Sequence, residues 1–114
     1  MVTHRALPGT YAMNVNRLGL PLATGRLLDG APGAARIGRM AVIQPMRGSG
    51  VGRAVLDALV QAARAQGRRE IRLHAQLSAA AFYRRAGFVE QGPQFDEAGI
   101  THVEMALDPR SGST

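Results

Sequence analysis

The apolar period of the chain changes from strand-like to helical across one glycine-rich turn, and that change restricts the fold more than any other feature. Residues 37–43 are mostly apolar and only weakly alternating, as expected of a central strand covered on both faces. From Gly50 to Gln66, Val51, Val55, Leu59 and Ala62 form one stripe, with Leu56, Val60 and Ala63 beside it, so a helix is predicted over 50–66. Arg53, Asp57, Gln61, Arg64 and Arg68 fall on its solvated side, and Gly67 suits the left-handed residue that ends a helix. Ile71, Leu73 and Ala75 then alternate with Arg72, His74 and Gln76 as another strand. A strand, a crossover helix and a second strand leave the two strands parallel. The turn between them, Arg47-Gly48-Ser49-Gly50-Val51-Gly52, is where chemistry is expected.

The flanks fit round this unit. Tyr11, Met13 and Val15 alternate with Ala12, Asn14 and Asn16 as a half-buried strand; a turn at 16–19 leads to an antiparallel partner over 20–28. The Pro/Gly-rich stretch 29–35 reads as a surface connection and 1–9 as an irregular N-terminus. Ser78 is placed to cap a short helix ending at Gly87, with Phe82 and Ala86 on its buried side. Thr101, Val103, Met105 and Leu107 alternate with His102, Glu104 and Ala106 as a last strand, before a flexible tail over 108–114. The expectation is one domain over 1–114, α/β with an α+β-type mixed sheet: antiparallel N-terminal strands, then β-α-β-α-β.

Composition excludes several classes. The absence of cysteine rules out a disulfide framework, a thiolate nucleophile and a thiolate metal site, and suits a reducing compartment. No apolar run reaches the ~18 residues of a membrane span, and the N-terminus lacks a signal-peptide core, so a cytoplasmic protein with no membrane partner is expected. The three histidines lack metal-ligand spacing. The net charge is +6, but the fourteen basic residues, all arginine, are dispersed and no aromatic stripe accompanies them. Nucleic-acid binding therefore ranks last among the readings.

The glycine turn has a specific use. A helix start presents unpaired N–H groups at the positive end of the helix dipole, and a diphosphate docks there if the backbone can come close. Gly48, Gly50 and Gly52 permit that approach, and Arg47 and Arg53 supply positive charge. The P-loop is excluded because the chain contains no lysine. The dinucleotide fingerprint is excluded because the glycines are evenly spaced and follow a hairpin.

Arg47, Gly50 and Gly52, after Arg39-Met40-Ala41-Val42, match the form Gln/Arg-x-x-Gly-x-Gly/Ala of the GNAT N-acetyltransferases. Ala80-Ala81-Phe82-Tyr83-Arg84-Arg85-Ala86-Gly87-Phe88 resembles the second signature of that family. Leu73-His74-Ala75-Gln76 and the stretch from Phe95 to His102 look like its ElaA-like branch, so the resemblance covers nearly the whole chain. It implies that acetyl-CoA is the cosubstrate and lies between splayed parallel strands. The backbone of Met40, Ala41 and Val42 would hold the pantetheine and thioester. Arg47, Gly48, Ser49, Gly50, Val51, Gly52 and Arg53 would hold the pyrophosphate, with Phe82 and Tyr83 alongside. It also implies acetyl transfer to a small primary amine by direct attack, with Tyr83 protonating the departing thiolate. For the base, His74, Glu97, His102 and Glu104 are candidates, of which Glu97 and His102 are preferred. Since only nine residues precede the Tyr11 strand, the chain is expected to lack the family's N-terminal strand and first two helices, which wall the acceptor site. A catalytically weak acyl-CoA-binding module is therefore the alternative, and a homodimer is expected to cover a sheet edge and an apolar face.

Overall fold

The computed structural model describes residues 2–7, 10–17, 20–42 and 47–107, and the expected tail lies outside them. Its strands are β1 (Val2–Leu7), β2 (Thr10–Arg17), β3 (Leu20–Asp29), β4 (Ala34–Val42), β5 (Glu70–Gln76), β6 (Val89–Glu97) and β7 (Ile100–Leu107). Helix α1 (Val51–Ala65) joins β4 to β5; a 3-10 turn (Leu77–Ala79) and helix α2 (Ala80–Arg85) join β5 to β6. The strands form one sheet in the order β1-β2-β3-β4-β5-β7-β6. Among the described strands only β4 and β5 pair in parallel, as the crossover helix requires.

One face of this sheet carries the core. The register aligns Leu27 with Ile37, Ile37 with Leu73, and Leu73 with Met105, and all four are nearly inaccessible. Val55, Leu56, Leu59 and Ala63 of α1 and Tyr83 of α2 pack into the same cluster. Helix α1 ends as its glycine predicts. Gly67 has φ 74°, and Arg68 N–H reaches Ala63 O at 3.0 Å while Gly67 N–H reaches Arg64 O at 3.0 Å. This is a left-handed glycine closure that satisfies the last carbonyls.

The sheet departs from expectation in five places. Residues 1–9 are not irregular throughout: Val2–Leu7 is an edge strand that takes its hydrogen bonds from β2, in register from Val2↔Val15 to Leu7↔Thr10. Two residues separate it from β2. β6 is a second edge strand, masked in the sequence by Gly92-Pro93 and a register shift between Gln91 and Phe95. Ser78 does not cap α2; it lies in the 3-10 turn, and the helix begins at Ala80 with no side-chain cap. Ala80 and Tyr83 form the buried side of α2, while Phe82 and Ala86 are partly buried against the core.

The fifth difference concerns the opposite face of the sheet. Among the described residues β4 is covered by helix on one face only, and the other face mixes charged groups with apolar ones such as Leu28 and Val89. It carries Arg26, Arg36, Arg72, His74 and Glu104, placed together by the pairs Arg36↔Arg72 and His74↔Glu104.

Candidate functional site

The parallel pairing of β4 with β5 runs only from Ala34↔Glu70 to Ile37↔Leu73. β4 continues to Val42 and β5 to Gln76, so their C-terminal halves diverge and leave a V-shaped gap. A bulge on the other side of β4 accounts for the divergence. Thr24 pairs with Ala41 and Arg26 with Gly38, so two residues of β4, 39 and 40, oppose Gly25 alone. An extra residue bends and twists its strand. The β4 edge facing the gap thus has backbone groups without a β5 partner, and those groups need one.

The gap opens into a cleft of about 730 Å³. Met40, Ala41, Val42, Arg47, Gly48, Gly50, Gly52, Arg53, Phe82 and Tyr83 all line it, as do His74 and His102. Ser49 and Val51 do not line it: Val51 N–H approaches Ser49 Oγ at 3.4 Å, and Val51 packs against the core. Gly48 and Gly50 have φ of 82° and 92°, where a side chain is strained. A Cβ at either position would meet nothing within 4 Å, so these glycines serve backbone conformation in an open concavity and not tight packing. Gly52 differs: its Cβ would lie 2.9 Å from Val42 Cγ2 and 3.8 Å from Phe82 Cζ, so the first turn of α1 sits hard against β4 and α2. The first bond of α1, Ala54 N–H to Gly50 O at 3.0 Å, leaves the N–H groups ahead of it at the cleft. Arg47 lies over the end of β4 with Nε 3.3 Å from Val42 O, and Arg53 pairs with Asp57 at 2.9 Å. Backbone donors, a dipole and two guanidinium groups fit a diphosphate.

On the far side of the gap stands Tyr83, fixed by the Gly87-Phe88 pair. Gly87 has φ 99°; Phe88 N–H bonds Tyr83 O at 3.1 Å and Gly87 N–H bonds Arg84 O at 3.0 Å, the same closure that ends α1. Phe88 is 1% exposed and meets the Tyr83 ring at a centroid distance of 6.0 Å, with Phe82 at 5.0 Å on another side, both edge-on. Burial pushes the Tyr83 phenol above its ordinary pKa, so it remains protonated at neutral pH.

The candidate bases come together on the helix-free face. His102 Nδ1–H donates to Ile100 O at 2.7 Å, because a carbonyl can only accept; this leaves Nε2 as the atom able to take a proton, 3.7 Å from Glu97 Oε2. Glu97 Oε1 also lies 2.9 Å from His74 Nδ1. Glu97, at the end of β6 and not in a loop, therefore touches both histidines without lining the cleft itself. Phe95 stacks on His102 at 6.0 Å and meets His74 edge-on at 4.9 Å. Glu104 lies 3.3 Å from His74 Nε2 and is also paired with Arg72. Burial alone would raise the Glu104 pKa, but the hydrogen bond and charge of Arg72, then of His74, outweigh it and hold the carboxyl below its ordinary value. Arg72 is pushed up in turn, first by Glu70 and then by Glu104.

Sequence reasoning gave no role to Arg36 or Phe95. Arg36 Nη2 lies 3.0 Å from His74 Nδ1 and also contacts Nε2. Its only signal was its place in the alternation of β4, one strand from Arg72.

Comparison with known proteins agrees with this architecture. The acetyltransferase (GNAT) domain family matches residues 23–109. The uncharacterized protein YyaT of Bacillus subtilis is 32% identical over 88 residues, which are 77% of this chain and 59% of that protein. The chain thus spans about three-fifths of that relative's length. An acyl-CoA N-acyltransferase from Pseudomonas aeruginosa superposes with a TM-score of 0.77 at 33% identity, over 86% of this chain and 68% of its own. Escherichia coli ElaA, at 22% identity, shares the fold with a TM-score of 0.78 over 87% and 68% of the two chains. With the family matched over most of its length and the splayed β4–β5 cleft in place, the chain belongs to the GNAT acetyltransferase family.

Proposed function

We propose that this chain transfers an acetyl group from acetyl-CoA to the primary amine of a small molecule, in the cytoplasm, by direct attack in a ternary complex. The observation that carries this reading is the convergence of the anion cradle, Tyr83 and His102 on one cleft. Arg47, Arg53 and the backbone from Gly48 to Gly52 hold the pyrophosphate, and the unpaired edge of β4 at Met40, Ala41 and Val42 holds the pantetheine and orients the thioester. Acetyl-CoA supplies an activated acyl group with a thiolate leaving group. The amine nitrogen attacks the carbonyl carbon, a C–N bond forms, the C–S bond breaks and its electron pair leaves on sulfur. His102 Nε2, steadied by Glu97, takes the surplus amine proton, and the Tyr83 hydroxyl protonates the thiolate. Backbone donors of β4 stabilise the developing oxyanion.

The test is calorimetric titration with acetyl-CoA and CoA on the wild type, Gly50→Ala and Gly50→Glu. Both variants carry the backbone strain at φ 92°, but only glutamate adds bulk and negative charge to the cradle. Binding is expected in the wild type, in weakened form in Gly50→Ala, and not in Gly50→Glu. Equal binding by all three would remove the cradle from its assigned place. Binding of CoA without turnover of any amine would favour the alternative reading, an acyl-CoA-binding module.

A further inference from the structure

The helix-free face holds two arginines that the acetyl-transfer chemistry does not use. Arg36 is half-buried beside His74, with Nη2 engaged by that imidazole and Nε and Nη1 without a partner among the described residues. Arg26 is exposed on β3, opposite Gly38 in the register and diagonal to Arg36, which faces Leu28. Gly38 and His74 line the cleft; neither arginine does, but Arg36 borders it through His74 and Arg26 stands opposite Gly38. Neither forms an ion pair with a described residue. The shortage is not one of placement alone, because every acidic residue of the chain except Asp108 is among those described. Arg72, next to Arg36 on the same face, is by contrast engaged by both Glu70 and Glu104.

Two guanidinium groups without a counter-charge on one face of the sheet attract an anion, and the planar fork of arginine matches a carboxylate. His74 adds a constraint. Each of its nitrogens lies near Arg36 and near a carboxylate, Glu97 at Nδ1 and Glu104 at Nε2. A neutral His74 accepts from Arg36 at one nitrogen and donates to a carboxylate at the other, which holds Arg36 beside the group that borders the candidate base. His74 thus connects Arg36 to Glu97, which in turn lies beside His102 on the same face.

We propose that Arg26 and Arg36 form an anion subsite of the acceptor pocket, and that the acceptor is an amino acid-like amine carrying a carboxylate. This rests on the acetyl-transfer reading for the amine half of the molecule, while the carboxylate half rests on the two arginines alone. Such an acceptor places its amine towards His102 and Glu97 and its carboxylate over the β3–β4 face. A charge-assisted hydrogen-bonded pair contributes about 1.5–3 kcal/mol, or roughly a 10- to 100-fold preference over the uncharged analogue.

The experiment titrates β-alanine, 4-aminobutyrate and 6-aminohexanoate, each against the n-alkylamine of the same chain length, into the CoA-saturated protein. Acetyl transfer to the same six compounds is measured in parallel. At least one amino acid of the series should bind about tenfold or more tightly than its alkylamine. Arg26→Gln should reduce that preference severalfold while leaving alkylamine turnover unchanged, and Arg36→Gln should abolish it. Equal affinity of every amino acid and its alkylamine in the wild type would overturn the subsite, as would a preference that survives both substitutions. Carboxylate-dependent binding without transfer to any compound would keep the subsite and sink the acetyl-transfer reading, whereas transfer without carboxylate preference would do the reverse.

Discussion

Gly25 sits where the bulge of β4, the seat of α1 and the wall of the cleft meet, and replacing it with alanine tests whether they depend on one another. Its backbone is outside the left-handed region, so alanine can adopt it and the effect is one of space. The new Cβ would lie 2.6 Å from Met40 Sδ, 2.8 Å from Leu59 Cδ1 and 3.1 Å from Val55 Cγ1. Met40 can swing its thioether away at little cost, but Leu59 and Val55 are fully buried and Val55 is stiff at χ1. Overpacking of this kind costs about 1–3 kcal/mol, and loss of glycine's freedom in the unfolded chain returns about 0.4–1. A net loss of about 1–2 kcal/mol is expected, which at about 4–8 °C per kcal/mol lowers Tm by roughly 5–15 °C. Urea titration with an unchanged slope would place the change in the folded state. The displaced Met40 should also weaken acetyl-CoA binding, because it lines the cleft. Leu59→Ala opens the space that the new methyl needs, so the double variant should be less destabilised than the sum of the singles by at least about 1 kcal/mol. A Gly25→Ala protein as stable as the parent, or strict additivity with Leu59→Ala, would refute the close-packing argument.

Two further predictions concern ionisation. Tyr83 must be protonated to act as an acid, and its pKa lies above the ordinary 10.0, so turnover should fall only as pH rises beyond that value. In Tyr83→Phe that alkaline limb should vanish and kcat should drop by about 10²- to 10⁴-fold with acetyl-CoA affinity retained; wild-type kcat in the variant would dismiss the acid role. The Glu104 carboxyl titrates below its ordinary 4.5 in the folded protein, so it contributes stability above that pH and loses it as pH falls through the depressed value. Thermal melts from pH 7 to pH 3 should show a shallower acid decline in Glu104→Gln than in the wild type, and parallel curves would contradict the pairing with Arg72 and His74.

Where periodicity and burial coincide, the sequence announces the structure. The stripe of α1 and the alternation of β5 are of this kind, because one buried face repeats at a fixed interval, whereas the helix-ending glycines at 67 and 87 were legible from their left-handed conformation. The edge strands were illegible for the opposite reason. Every described side chain of β6 except Phe95 is exposed, so no burial pattern is imposed on it, and Gly92-Pro93 reads as a turn. The cleft residues were legible through turn chemistry and family resemblance, since a glycine at positive φ leaves a mark in sequence. Arg36 left none: its meaning depends on which side chains lack a counter-charge, which emerges only when β4, β5, β6 and β7 are brought together.

The glycine signature is itself better understood as two separate requirements. Gly48 and Gly50 shape the anion cradle by conformation, whereas Gly25 and Gly52 bring α1 close to the sheet by having no side chain. Had the helix stood a methyl group further out, its N-terminus would sit away from the end of β4, and the cradle would no longer continue the open β4 edge. The bulge opposite Gly25 acts on the same geometry from the strand side, turning β4 out of pairing after Ile37 just where the helix start faces it. The gap and the cradle are thus produced by one set of contacts. For that reason a packing change at Gly25, which does not line the cleft, should be felt in cofactor affinity as well as in stability.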